Sequence, residues 1–199
     1  MIILYANKMT EPPNWRNLDY LQNGNIRQRR VYHLLVETCP IARLLPYDLA
    51  LVSTVCVGWD LPDSDLDIIL YANKPDILTY RLNEAFIHYA NFSISRWDNQ
   101  PWPVICRFSL EGEKIELFAC PTPLEQQAAW RHLTQMHRLA NLLGEVFSQK
   151  VKELKRSGSK TEPAIAKLLG LAGEPFQAVL DLEKWTDKQI AAKWKHPTP

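Results

Sequence analysis

No charge of one sign dominates this chain: lysine and arginine number 23 and aspartate and glutamate 22 among 199 residues. A net charge of +1 sets up no global field that would recruit nucleic acid or an anionic membrane, although a local basic patch stays open. Cysteine is scarce, and Cys39, Cys56, Cys106 and Cys120 form no C-x-x-C pair and sit beside no histidine at zinc-ligand spacing. Cys56 and Cys106 lie inside apolar runs and read as small core residues. Reduced thiols of this kind suit a cytoplasmic chain, which is the expected location. No stretch approaches the roughly 20 apolar residues that cross a bilayer, so no membrane partner is expected. The apolar start, "MIILYANKMTEPP", is too short for a signal peptide and lacks a cleavage pattern. Repeats and low-complexity tracts are missing too. What remains, 46% hydrophobic and 23% charged residues, is ordinary for a soluble globular chain of one domain, or of a core with a smaller helical partner.

Residues 1–17 carry prolines and read as a loosely attached arm. "NIRQRRVYHLLVETC" has Ile26, Val31, Leu34 and Leu35 at helical spacing, with Asn25 as N-cap and Pro40 and Pro46 closing the region. "DLALVSTVCV" is apolar and β-branched, a central strand; "GWDLPDS" is a loop; "DLDIILYA" is a second strand. A helix follows over "PDILTYRLNEAFIHYA", with proline near its start. "FSISRW", "PVICRFSL" and "KIELFA" read as strands, the last two joined by a hairpin turn at "EGEK". From residue 123 the chain reads as helical throughout, broken at Gly144, Gly158, Gly170 and Gly173. The predicted architecture is α+β (α/β-like), a mixed sheet flanked by helices over residues 1–120 and a helical C-terminal region over 121–199.

Two aspartates interrupt the second strand. Side chains at i and i+2 of a strand share a face, so Asp65 and Asp67 are expected to project together. Adjacent carboxylates repel unless a cation lies between them, and hard oxygen ligands favour Mg²⁺ or Mn²⁺. Glu116 is a third acid set among apolar strand residues; if the two strands are neighbours, three carboxylates meet. The plainer alternative makes Asp65 a strand-end cap, Asp67 half of a surface ion pair and Glu116 a solvent-facing hairpin residue.

"STVCVGWDLPDSDLDI" resembles the signature of the nucleotidyltransferase (polymerase-beta-like) superfamily: a Gly-Ser or Gly-Thr pair, about ten residues, then acid-x-acid between apolar residues. A narrower resemblance lies in "YLQNGNIRQRRVY", "SDLDIIL", "IELF" and "LKRSGSKTEPAIAKLLGLAGEPF", which together look like the bacterial family DUF4269 over about residues 20–180. The superfamily resemblance implies a nucleotidyltransferase-like fold with a two-metal site. Asp65 and Asp67 would bind divalent ions with a nucleoside triphosphate, and Glu116 would be a third ligand or activate an acceptor hydroxyl. Ser53, Thr54, Ser64 and Lys160 become candidate phosphate contacts. One departure stands out: Ser53 occupies the position of the pair's glycine, where glycine serves close approach to a phosphate or a positive φ.

Other residues keep two readings. Lys150, Lys152, Lys155, Arg156 and Lys160 form either a patch for triphosphate or a polyanionic acceptor, or a solvated helix face. Arg27 and Gln28 face a cleft or solvent; Arg131 and His132 touch substrate or pack structurally; Trp59 stacks on a base or covers the core. Two functions follow. One is a Mg²⁺-dependent nucleotidyltransferase acting on an unknown acceptor (small molecule, RNA or protein). The other is an inactive nucleotide or metal binder working through protein interaction, as in a stress or toxin–antitoxin system. A hydrolase using the same acids is a third idea, and oligomeric state is open.

Overall fold

The computed structural model describes residues 12–38, 47–97 and 102–195. Cys39, Pro40 and Pro46, and residues 1–11 of the arm, lie outside the described residues. Contacts divide the chain into two compact units, one spanning Pro13–Leu133 and a second beginning at Thr134.

In the first unit, α1 (Ile26–Tyr32) starts at the expected N-cap. The Asn25 side chain accepts the Gln28 N–H at 2.9 Å and Gln28 Oε1 accepts the Asn25 N–H at 2.8 Å, a reciprocal capping box. The helix widens into a π-turn over His33–Thr38. The predicted arm is anchored at its described end: Trp15 is fully buried, and its carbonyl accepts the Leu51 N–H at 3.3 Å.

Five strands form one sheet in the order β1-β2-β5-β4-β3: β1 (Asp48–Leu51), β2 (Leu66–Tyr71), β3 (Ala90–Arg96), β4 (Val104–Leu110) and β5 (Glu113–Cys120). All neighbours pair antiparallel except β2 and β5, which are parallel. Between them run α2 (Pro75–Phe86) and the β3–β4 pair. Pro75 supplies the first turn of α2, whose Leu78, Leu82 and Phe86 are buried. Phe86 stacks on Phe108 of β4 at 4.5 Å between centroids. Glu111 and Gly112, both at positive φ (49° and 84°), make the two-residue turn from β4 to β5. That conformation matches the strand twist of a tight hairpin.

One expected strand is corrected. Of residues 48–57 only the first four form a strand; Thr54–Val57 coil into a 3-10 turn that Gly58 ends in the left-handed region at φ 69°. The apolar run misleads because Val55 and Cys56 bury their side chains from a turn. Strand β2 also begins one residue later than expected, leaving Asp65 just before it.

The second unit holds the rest of α3 (Ala128–Arg156), then α4 (Thr161–Leu169), α5 (Pro175–Asp181) and α6 (Asp187–Lys193). Gly144, at φ 74° and ψ −166°, breaks α3 into two helical stretches at the predicted position. Arg138 ties this unit together: it pairs with Asp187 at 2.7 Å and donates to the carbonyls of Leu182 and Trp185.

Candidate active site

Alternation sorts the sheet into two faces. On β2 the residues Leu66, Ile68 and Leu70 are buried on one face, and Asp67 and Ile69 take the other. The parallel register sets Asp67 opposite Glu116 and Ile69 opposite Phe118. The antiparallel register sets Arg107 of β4 opposite Glu116 on its other side. Asp67, Glu116 and Arg107 therefore form one row across three strands. Arg107 Nε donates to Glu116 Oε2 at 2.7 Å, and Arg107 Nη2 lies 2.7 Å from the same oxygen.

Asp65 stands apart from this row. Its side chain is half exposed, and Lys114 Nζ lies 3.9 Å from its Oδ1. The structure thus brings Asp67 and Glu116 together and sets Asp65 two residues upstream. The three are carboxylates only, a donor set suited to a hard divalent cation. Among the described residues, no three His, Cys, Asp or Glu side chains are already gathered at ligating positions.

The loop before Asp65 is held from several sides. Ser53 is buried at the start of the 3-10 turn, and its Oγ donates to the Asp65 carbonyl at 2.8 Å. Its φ of −81° lies in ordinary extended space, so the backbone conformation there demands no glycine. Thr54 is half-buried and opens the turn. Ser64 Oγ accepts the Leu61 N–H at 2.8 Å, closing the loop on itself. The Val52 N–H donates to the Asp67 carbonyl at 2.8 Å, joining turn to strand.

Helix α1 clamps both ends of this loop. Gln28 Nε2 donates to the Val55 carbonyl at 2.9 Å. Arg27 Nη2 donates to the Ser64 carbonyl at 3.2 Å, Arg27 Nε pairs with Asp60 at 2.6 Å, and the guanidinium grips both oxygens of Glu113 at 3.1 and 2.8 Å. The Glu113 and Asp60 side chains are only 6% and 7% exposed, and Arg27, with Arg30 Nε 3.6 Å from Glu113, neutralises these two buried carboxylates. Glu113 was legible in principle: it shares the parity of Ile115 and Leu117, the core-facing side of β5, where a carboxylate requires a cation. Trp59 is fully buried behind this loop.

A cavity of about 450 Å³ opens on the acid-bearing face. Asp67 and Glu116 line one part of it, and Ile69, Phe118, Cys120 and Gln127 line another. Arg131 and His132 are half-buried in α3. Lys160 is exposed in the second unit, at the N-cap position of α4. Lys150, also in the second unit, pairs with Glu153 at 2.7 Å.

Residues 34–182 match the family described as "Domain of unknown function (DUF4269)". A comparison with curated proteins gives no match. Among solved structures, the chain is similar to the RNA terminal uridylyl transferase Cid1, with a TM-score of 0.50 at 12% identity over 77% of this chain and 46% of that one. GLD-2 in its complex with RNP-8 gives 0.48 at 15% identity over 90% and 61%. The polymerase core of TRAMP gives 0.42 at 12% identity over 86% and 54%. The chain spans less than two thirds of each. The likeness to Cid1 is one of fold: the five-stranded mixed sheet flanked by helices is a nucleotidyltransferase fold.

Proposed function

The chain belongs to the DUF4269 family, and for it we propose a divalent-metal-dependent nucleotidyl transfer, from a nucleoside triphosphate to the hydroxyl of an acceptor with release of pyrophosphate. The observation that carries this reading is the register of Asp67 against Glu116, with Asp65 two residues upstream and pinned to the Ser53 turn. Asp65 and Asp67, with Glu116, would hold Mg²⁺ or Mn²⁺. When bound, such ions stabilise the charge on attacking and leaving oxygens.

The protein's own groups do the rest. Glu116 has one oxygen, Oε2, held by Arg107, which fixes the carboxylate on the sheet face; its Oε1 takes the proton of the acceptor hydroxyl. The Ser53 and Thr54 turn, with Ser64, shapes the phosphate-facing loop. The Ser53 hydroxyl acts there by fixing Asp65. In this division residues 1–120 carry the nucleotide chemistry, and 121–199 select the acceptor. Cid1 acts on the ends of RNA; RNA, protein and small molecules are all acceptors to be tested here.

A second reading, nucleotide or metal binding without transfer, is favoured by the cations that already occupy Glu116 and Asp65. One experiment separates the two. The protein is incubated with each α-labelled triphosphate, Mg²⁺ or Mn²⁺ and cell lysate, and calorimetry is run in parallel. Transfer predicts label on one acceptor class, lost in Asp67→Asn. Binding without any labelled product, across all four nucleotides and both metals, rejects transfer in favour of the second reading.

A further inference from the structure

The two edges of the sheet are not alike. At β1 the edge is occupied: the Leu51 N–H donates to the Trp15 carbonyl at 3.3 Å, and Arg16 pairs with Asp48 at 2.6 Å. At β3, the other outer strand, no further strand pairs among the described residues. The phase of the β3–β4 ladder fixes which peptide groups are left over. The Trp97 N–H donates to the Pro103 carbonyl, and Ser95 and Ser93 stand opposite Ile105 and Arg107. Peptide groups alternate in direction along an antiparallel strand, so Ile94 and Arg96 turn their N–H and C=O groups outward. Open edges are commonly guarded by proline, lysine or a charge turned inward. The β3 sequence, Ala-Asn-Phe-Ser-Ile-Ser-Arg, has no proline and no lysine. Its bulge lies between Ala90 and Ser93, so the stretch from Ser93 to Arg96 stays regular.

The side chains beside this edge are largely apolar. Phe92 and Ile94 line a groove of about 660 Å³ against α2, together with Thr79, Tyr80 and Asn83. Its charged lining is one pair, Asp76 and Arg96, 2.7 Å apart. Ile77 and Tyr80 stand one turn apart on α2 and are both exposed, Tyr80 at 67%. Ile87, just past the helix, and Trp97, just past the strand, are exposed as well. Apolar groups left in water beside free peptide groups fit an added strand.

Strand β3 is complementary to itself. In an antiparallel pairing about a two-fold axis at Ile94, Ile94 faces its own copy, Ser93 faces Ser95, and Phe92 faces Arg96. The outward peptide groups of Ile94 meet as a hydrogen-bonded pair, hydroxyl meets hydroxyl, and each guanidinium meets an aromatic ring. A register centred on Arg96 would set two like charges against each other. The occupied β1 edge stands against a head-to-tail chain of copies, so the contact closes at two. Such an axis runs through the sheet, which places both α2 helices on one face and both carboxylate rows on the other.

We propose that β3 is a self-association edge, through which two copies of this chain join into one continuous sheet, five strands from each. The proposal is independent of the nucleotide reading of the carboxylate row.

Sedimentation of the full chain over a wide range of concentration tests it. The expected result is a species of twice the 23.0 kDa chain mass that dissociates on dilution. Ile94→Lys sets two ammonium groups opposite each other at the axis. It is expected to weaken association by about tenfold or more, with the circular dichroism unchanged. Ile94→Cys gives a second measurement. Hydrogen-bonded antiparallel partners have Cα atoms about 5.5 Å apart, within reach of a disulfide. Mild oxidation should therefore yield a covalent dimer, reversed by reductant, well above that of the wild type or of Gln22→Cys, an exposed position outside β3. Should Ile94→Lys fail to fold, this cross-link decides. A single-chain mass at every concentration, a dimer untouched by Ile94→Lys, or cross-linking no greater than in the two controls overturns the proposal. Cross-linking of Ile94→Cys in lysate to a foreign protein, with none to itself, overturns it in favour of another chain's strand at this edge.

Discussion

Ser53 Oγ donates to the backbone carbonyl of Asp65 at 2.8 Å, across a loop of eleven intervening residues. The residue that departs from the superfamily pattern thus braces one of the acids that defines it. Because Ser53 has φ −81°, restoring glycine relieves no strain. It removes a buried hydrogen bond worth about 1 kcal/mol and adds unfolded-state entropy worth about 0.4–1 kcal/mol. Ser53→Gly is expected to lower stability by about 1–2 kcal/mol in urea titration and to leave nucleotide affinity unimproved.

Arg27 neutralises Glu113 and Asp60 inside the protein. Arg27→Met strands Asp60 and leaves Glu113 only Arg30 Nε at 3.6 Å, and a loss of about 3–5 kcal/mol is expected, the range for breaking a buried pair. Adding Glu113→Gln to Arg27→Met should recover part of that loss. A double-mutant cycle in urea reads the coupling.

The Arg107–Glu116 pair is more open, with side chains 51% and 29% exposed, so its contribution to stability is within about 1 kcal/mol. Its effect is on charge at the site. Arg107→Gln removes a cation that competes for Glu116, and Mn²⁺ affinity measured without nucleotide should rise several-fold. Asp67→Asn should abolish that binding while the far-ultraviolet circular dichroism stays unchanged.

Burial pushes the thiols of Cys56 and Cys106 up to about 12 from an ordinary value of 9. Both should resist alkylation at pH 8 in the folded protein and react on unfolding, as read by intact mass. Between those two values the unfolded chain holds fewer thiol protons than the native one, so stability contributed by these groups falls as pH rises above 9. Urea midpoints taken at successive pH values check the sign.

Local pattern revealed those parts of the molecule whose partners are near in the chain. The Asn25 cap, the Glu111–Gly112 turn and the Gly144 break each depend on a few adjacent residues. Asp67 and Glu116 stood out as acids alternating with apolar residues, but their pairing needed a parallel contact that no local pattern encodes. The clamp of Arg27 on Glu113 joins residues 86 apart, and Arg107 looked like any polar position of an alternating strand. The turn at Thr54–Val57 was misread because β-branched residues fill a core from a coil as well as from a strand. The contacts of Gln127 were invisible in sequence: its amide donates to the carbonyl of Leu70, 57 residues away, as well as to that of Thr122.

Strands β2 and β5 touch only after α2, β3 and β4 have been laid down between them. During synthesis, then, a ribosome that has passed Asp67 has produced only one acid of the row. The carboxylate row comes into being only when Glu116 emerges and docks, so this face of the sheet is completed in one late step rather than strand by strand.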